Sequence, residues 1–264
     1  MGTATTLLRL GPFTVLTDPD FLHRGQHAYL GKGLFSRRVA EPSMQPAQLP
    51  RLDAVALSHL HGDHFDRVPR EQLDRDLPVL TTPAAARRLG KWGFGNAAGF
   101  APWEQTTLTS DGHRLVVTAV PGRHAPGIAQ ALLPPVMGSV LELHNPGAST
   151  PFRLYITGDT LYRPWLRDVR DRAGEIDAMV IHLGGTRILG MTVTMDGDQG
   201  AQLVELIEPS VTVPVHHDDY RVFRSPLPAP RSPLQEFLDE CHDRSAPTTI
   251  WTVARGERVP LGRE

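Results

Sequence analysis

The stretch Val55-Ala56-Leu57-Ser58-His59-Leu60-His61-Gly62-Asp63-His64-Phe65-Asp66 decides how this chain is read. A short apolar run, suited to a buried strand, leads directly into three histidines and a carboxylate within six positions. Neutral imidazole and ionised carboxylate are ligands that suit zinc and its first-row neighbours. A pattern this dense arises by chance on the order of once in a thousand such chains, so the groups are read as metal ligands rather than as a solvated turn. An open catalytic zinc site takes three protein ligands. Four groups in one loop therefore read as two half-sites that other parts of the chain must complete.

The surroundings are those of an ordinary globular protein. The 264 residues, 40% hydrophobic and 21% charged, can bury a sizeable core. With no linker-like stretch or internal repeat, a single domain over residues 1–264 is expected. A net charge of -2 makes no case for a nucleic-acid partner or an anionic membrane surface. No apolar run approaches the roughly 20 residues of a membrane span. Met1-Gly2-Thr3-Ala4-Thr5-Thr6 shows no basic segment leading into an apolar one, so a cytoplasmic location is expected. The lone Cys241 excludes an internal disulfide framework and a cysteine-based zinc cluster.

Residues 7–10 and 13–17, separated by Gly11-Pro12, read as a hairpin. Residues 21–50 show little periodicity and are expected to form an irregular excursion, either a lid or a solvated loop. A buried strand is expected at 53–58, and Thr82-Pro83 opens a helix that ends at Gly90. Residues 106–109 with 114–120, and 139–144 with 152–157, read as antiparallel pairs. Strands are expected at 178–183, 211–215 and 249–253. Asp196 caps a helix running through Ile207, and Ser232-Pro233-Leu234-Gln235 is a capping-box signature for a helix to about Cys241. This is an α/β pattern of two β-rich halves with outer helices.

Three further strand ends offer the missing ligands. His124 lies in Pro121-Gly122-Arg123-His124, Asp159 in Thr157-Gly158-Asp159-Thr160, and His216 in Pro214-Val215-His216-His217-Asp218-Asp219-Tyr220. Each follows an apolar run, where neighbouring loops converge.

The order H-x-H-x-D-H, then His, then Gly-Asp-Thr, then a late His resembles the metallo-β-lactamase fold superfamily, from Asp18-Pro19 to Phe223. The resemblance implies a four-layer αββα sandwich, with two mainly antiparallel sheets, outer helices and a two-metal site at one sheet edge. By position it implies His59, His61 and His124 for the first metal, and Asp63, His64 and His216 for the second. Asp159 would bridge them. The family's Pro-x-His pattern favours His216 over His217. Zinc is the expected ion, with manganese or iron as alternatives. Flavodiiron members carry Glu where His61 stands, and true β-lactamases usually lack the Gly158-Asp159-Thr160 carboxylate. The RNA-processing nucleases need an inserted domain for which this chain has no room. Leu16-Thr17-Asp18-Pro19, the 58–66 stretch and Pro214-Val215-His216 are most similar to the branch of ascorbate-6-phosphate lactonase and N-acylphosphatidylethanolamine phospholipase D. This chain departs from that branch at His182-Leu183-Gly184-Gly185-Thr186, where Pro-Ile-Gly is common, and at Thr194-Met195-Asp196, so the substrate does not carry over.

The expected function is that of a dinuclear metal-dependent hydrolase, in which a hydroxide shared between the ions attacks an ester-like bond of a small molecule. Phosphodiesters rank ahead of lactones and carboxylic esters. A non-catalytic binding or regulatory protein of the same fold is the alternative. Asp63 and Asp159 would orient the nucleophile, and Asp66 would orient a ligand histidine. His182, His217, Asp218 and Asp219 are candidates for proton transfer to the leaving group, and His182 reads equally as a hydrogen-bonded core histidine. Lys32, Arg37 and Arg38 suit a phosphate or carboxylate. Residues 128–137 suit a hydrophobic wall, a dimer contact or core packing. His23, His27, His113, His144 and His242 are read as surface or structural residues.

Overall fold

The structure, a computed structural model, describes residues 2–188, 190–217, 220–222 and 232–262. β1 (Leu7–Leu10) and β2 (Phe13–Thr17) form the expected antiparallel hairpin. Next come β3 (His27–Gly31) and β4 (Leu34–Arg38), an antiparallel pair where an irregular excursion was expected. Polar Ser36 and Arg38 occupy the buried positions of β4, while Tyr29 and Phe35 are exposed. The alternation is real but runs against residue polarity, so hydrophobic periodicity does not reveal it.

β5 (Ala54–Ala56), α1 (Arg67–Gln72), β6 (Val79–Thr81), α2 (Pro83–Lys91) and β7 (Ala97–Gly99) complete the first half. Thr82 caps α2 by accepting from Ala85 N, with Pro83 in the first helical position. The first sheet has the order β1-β2-β5-β6-β7. The second half comprises β8 (Gln105–Ser110), β9 (His113–Pro121), β10 (Met137–His144), β11 (Phe152–Ile156), α3 (Asp168–Ala173) and β12 (Ala178–His182). The two-residue strands β13 (Arg187–Ile188) and β14 (Met191–Thr192) follow, then α4 (Gly197–Ile207), β15 (Val211–Val215), β16 (Tyr220–Val222), α5 (Pro233–Asp243) and β17 (Thr249–Ile250). The second sheet runs β17-β15-β12-β11-β10-β9-β8, and β16 joins β4 and β3 in a small separate sheet.

Period-two alternation in the central strands produces four layers. Ala54 and Ala56 face the second sheet, while Val55 between them packs under α1 and α2 with Leu57, Leu73 and Leu89. In the second sheet, Leu154, Ile156, Ala178 and Val180 face inward. Tyr155 and Met179 turn the other way, onto Leu203, Val204 and Phe237 of α4 and α5. Helices thus cover both outer faces of two stacked sheets, as the αββα expectation requires.

The sheets are mixed rather than mainly antiparallel. Pairing is parallel from β2 through β7 and from β11 through β12 and β15 to β17. Crossovers return the chain to the same end of the sheet, through the β3–β4 excursion between β2 and β5 and through helices elsewhere, and such connections join parallel strands. Two local expectations also change. Ser232 makes no side-chain cap and the Gln235 side chain bonds Asp239 rather than reaching back to Ser232, and the final strand is only Thr249–Ile250.

Candidate metal centre

Strand direction gathers the site. β9 and β11 are both antiparallel to β10, and β12 and β15 are parallel to β11, so all four end at one edge of the second sheet. His124 follows β9, Asp159 follows β11, His182 ends β12 and His216 follows β15. The 59–64 loop leaves β5 at the same place. Gly158 has φ +61, and a Cβ there would sit 2.8 Å from Met137 O and 2.9 Å from the Ser58 side chain. Glycine is therefore required at this position to turn Asp159 into the cluster.

Two groups of ligand atoms result. His59 Nε2 lies 3.0 Å from His61 Nδ1, and His124 Nε2 lies 3.3 Å from the same atom. Nearby, His64 Nε2 is 3.1 Å from His216 Nε2, and His216 Nε2 is 3.7 Å from Asp63 Oδ2. Asp159 reaches both groups. Its Oδ2 is 3.3 Å from His64 Nε2 and 3.9 Å from His124 Nε2, and its Oδ1 is 3.7 Å from His216 Nε2.

Surrounding bonds aim the rings. His124 Nδ1 donates to Val193 O at 2.6 Å, which turns Nε2 inward. His59 Nδ1 meets Ser58 Oγ at 3.0 Å. His64 Nδ1 lies 3.1 Å from Asp18 Oδ2, and Asp18 also accepts from Ser58 N and Ser58 Oγ. Asp18 and Ser58 were not expected as site residues. The available signal was position, since parallel pairing sets Thr17 beside Ala56 and brings the ends of β2 and β5 together.

Burial, reinforced by neighbouring imidazoles, holds His59 well below the usual histidine range and lowers His61 to about 4. Burial also lowers His124. These three rings therefore keep their lone pairs at neutral pH. Burial opposes charge on His64 and His216 too, but there the carboxylates outweigh it. Asp159 and Asp18 raise His64, and Asp159 and Asp63 raise His216. In the same way His216 and His64 outweigh burial at Asp159 and hold its carboxyl far below the usual range.

This donor set fits metal ions. Nitrogens arranged tetrahedrally at about 2.0–2.1 Å around a zinc ion lie roughly 3.3 Å apart, close to the spacing of the three-histidine group. Asp63 Oδ1 and Asp159 Oδ1 are buried without a hydrogen-bond partner among the described residues, a costly state for carboxylate oxygens that a cation relieves.

The structure thus brings together His59, His61, Asp63, His64, His124, Asp159 and His216. His216 rather than His217 enters the cluster, with φ +66 at its backbone. His217 is half-buried beside it. His182 is fully buried, with Nδ1 3.2 Å from Thr157 Oγ1 and Nε2 3.4 Å from Asp18 Oδ2. That place suits holding Asp18 rather than meeting a leaving group. Asp218 and Asp219 lie outside the described residues. Asp66 caps α1 through Val68 N and accepts from Leu22 N at 2.8 Å, so it fixes backbone rather than a histidine. Arg38 is buried in an ion pair with Asp20 at 2.8 Å and is not presented to a substrate anion, because β4 turns it inward. Lys32 and Arg37 are exposed. The 128–137 stretch divides, with Ile128 and Leu132 exposed and Val136 and Met137 in the core.

Comparison with known proteins agrees with this geometry. The pattern of the beta-lactamase superfamily domain matches residues 14–217. An uncharacterised protein of Mycobacterium tuberculosis is 25% identical over 269 residues, covering 99% of this chain and 68% of its own. A metal-dependent hydrolase of Deinococcus radiodurans is 26% identical, covering 75% of this chain and 79% of its own. The crystal structure of an isothiocyanate hydrolase from Delia radicum gut bacteria aligns with a TM-score of 0.75 at 21% identity, over 97% of this chain and 95% of that one. The chain belongs to the β-lactamase superfamily.

Proposed function

We propose that the chain is a dinuclear hydrolase of ester-like bonds in small molecules, with phosphodiesters ahead of lactones and carboxylic esters. The observation that supports this reading best is the pair of adjoining donor groups with Asp159 reaching both. His59, His61 and His124 would hold one ion. Asp63, His64 and His216 would hold the other, and Asp159 would be shared. Bound divalent ions, zinc before manganese or iron, would polarise the scissile group and make water nucleophilic near neutral pH.

The remaining work falls to the chain. Asp159 and Asp63 carry unpartnered buried oxygens that would ligate the ions, and as carboxylates they can accept a hydrogen bond from the attacking water and orient it. Ser58 and Asp18 keep His59 and His64 in the ligating orientation. Proton transfer to the leaving group is assigned to His217, which is half-buried and follows His216 in the chain. Leu16-Thr17-Asp18-Pro19 keeps the phospholipase and lactonase branch as the preferred relation. The test is turnover by the zinc-loaded protein of bis(p-nitrophenyl) phosphate, a γ-lactone, p-nitrophenyl acetate and phenethyl isothiocyanate. The isothiocyanate arm follows from the activity named for the structural neighbour. Phosphodiester turnover that falls at least a hundredfold in Asp159→Ala is expected. A loaded protein inert on all four substrates would favour the binding-protein alternative.

A further inference from the structure

We infer that the site accepts an anionic amphiphile, a molecule joining a phosphate or carboxylate to an aliphatic or aromatic tail. The inference rests on the hydrolase reading above and names its substrate class. Three segments frame the ligand loops and are hydrogen-bonded to them. Tyr29 O on β3 accepts from Gly62 N, between the ligands His61 and Asp63. Gln130 Oε1 accepts from His124 N at 2.7 Å and so folds the 127–132 turn onto the His124 loop. Val193 O, directly after β14, holds His124 Nδ1.

These segments carry most of the exposed apolar surface. Seven large hydrophobic side chains are exposed among the described residues, and five of them lie here: Tyr29, Phe35, Ile128, Leu132 and Met191. Ile128 is 96% exposed, and the Tyr29 and Phe35 rings pair at 5.1 Å between centroids. Single exposed apolar residues are ordinary, but a set carried on segments bonded to one site points to a contact surface. The supporting backbone is firm. Arg38 and Tyr220 both bind the buried Asp20, at 2.8 Å and 2.9 Å, and tie β4 to the chain beyond His216.

Charge selects the polar end of the ligand. Residues 27–38, 123–137 and 184–195 contain no Asp or Glu, whereas the chain's own frequency of 29 in 264 would place about four in 39 residues. Their exposed charges are Lys32, Arg37 and Arg187, the last lying 3.8 Å from Asp196 just beyond the third segment. Segments whose own residues are apolar or cationic, with Asp196 meeting Arg187 at one end, favour a ligand with a tail and a negative group over a neutral or cationic one.

The test uses the metal-loaded full chain and n-alkylphosphonates of two to eight carbons, titrated by calorimetry. The dissociation constant is expected to fall about twofold to fourfold per added methylene. Ile128→Ser with Leu132→Ser should flatten that slope while leaving metal content and ethylphosphonate affinity at wild-type values. Lys32→Glu with Arg187→Glu should weaken every length alike, by about threefold to tenfold. Affinity independent of chain length, or a slope unchanged in the serine variant, overturns the tail assignment even though ethylphosphonate binding upholds the metal centre. A flat series together with sedimentation on phosphatidylglycerol vesicles overturns it in favour of a membrane contact. Failure to take up metal overturns the hydrolase reading itself.

Discussion

Gly62 sits between two ligands and against another strand, so Gly62→Ala tests whether the small sheet holds the metal loop in register. A Cβ at this position would lie 2.6 Å from Tyr29 N and 2.8 Å from Tyr29 O. Both are backbone atoms of β3, so no side chain can swing away, and the loop or the strand must shift by roughly half an ångström or more. Overpacking of this kind costs about 1–3 kcal/mol, or about 2–8 °C in melting temperature for a chain of this size. Gly90 supplies the control, because it lies in α2 with nothing within 4 Å of an added Cβ. Gly90→Ala should therefore stabilise the protein, by up to about 1 kcal/mol. The assay is calorimetric melting of metal-free and metal-loaded protein, with metal content measured alongside. For Gly62→Ala the loss should be larger in the loaded form, because His61 and Asp63 move with the loop. Two results would refute the reasoning: a Gly62→Ala protein that melts and loads like wild type, or equal shifts for the two substitutions.

Asp18→Asn keeps the shape of a buried side chain but removes its charge. Burial opposes that charge, but His64 and His182 outweigh it and bring Asp18 to about 2 from the ordinary 3.8. A depressed carboxyl stabilises the fold above its unfolded value, by about 2 kcal/mol at neutral pH, and that stability is lost as pH falls through about 2. Urea titrations of metal-free protein should thus show the Asn variant weaker at pH 7, with the gap narrowing from pH 4 downward; its metal affinity should fall about tenfold to a hundredfold. Asp159→Asn, which removes the charge of the shared carboxylate, should cost about 1.5–3 kcal/mol of metal binding, read by competition with a chromophoric chelator as a lower stoichiometry. Cys241 is buried, and burial raises its thiol to about 11. Native protein at pH 8 should label with a thiol reagent at least a hundredfold slower than urea-unfolded protein, and equal rates would contradict this packing.

The sequence revealed those elements whose burial matches their polarity. The 13–17 strand, the β8–β9 and β10–β11 pairs and the capped helices α2 and α4 lie within a residue or two of expectation, because their apolar periodicity and caps are local signals. The β3–β4 hairpin was illegible for the opposite reason. Its inward positions, Ser36 and Arg38, are polar, and Arg38 is buried only because Asp20 and Tyr220 meet it from distant parts of the chain. The parallel order β2-β5-β6-β7 was equally hidden, since pairing partners depend on how the helices return the chain rather than on any strand's own residues.

The same distinction runs through the site. The residues gathered at the cluster, His59, His61, Asp63, His64, His124, Asp159 and His216, stood out because metal-ligand chemistry uses few residue types at the ends of apolar strands. The groups that aim those ligands had no such signature. Val193 contributes only a carbonyl, Ser58 reads as the last residue of a strand, and Asp18 reads as the start of a turn before Pro19. Asp66 shows the reverse error, because its place in the motif suggested an orienting role that Asp18 fills from another strand. His182 completes the pattern. Buried between Thr157 and Asp18, it stands behind the carboxylate that orients His64 rather than among the candidate ligand atoms. The candidate ligands are thus written along the chain, while their orientation is created by the sheet edge where β2, β5, β11 and β12 end together.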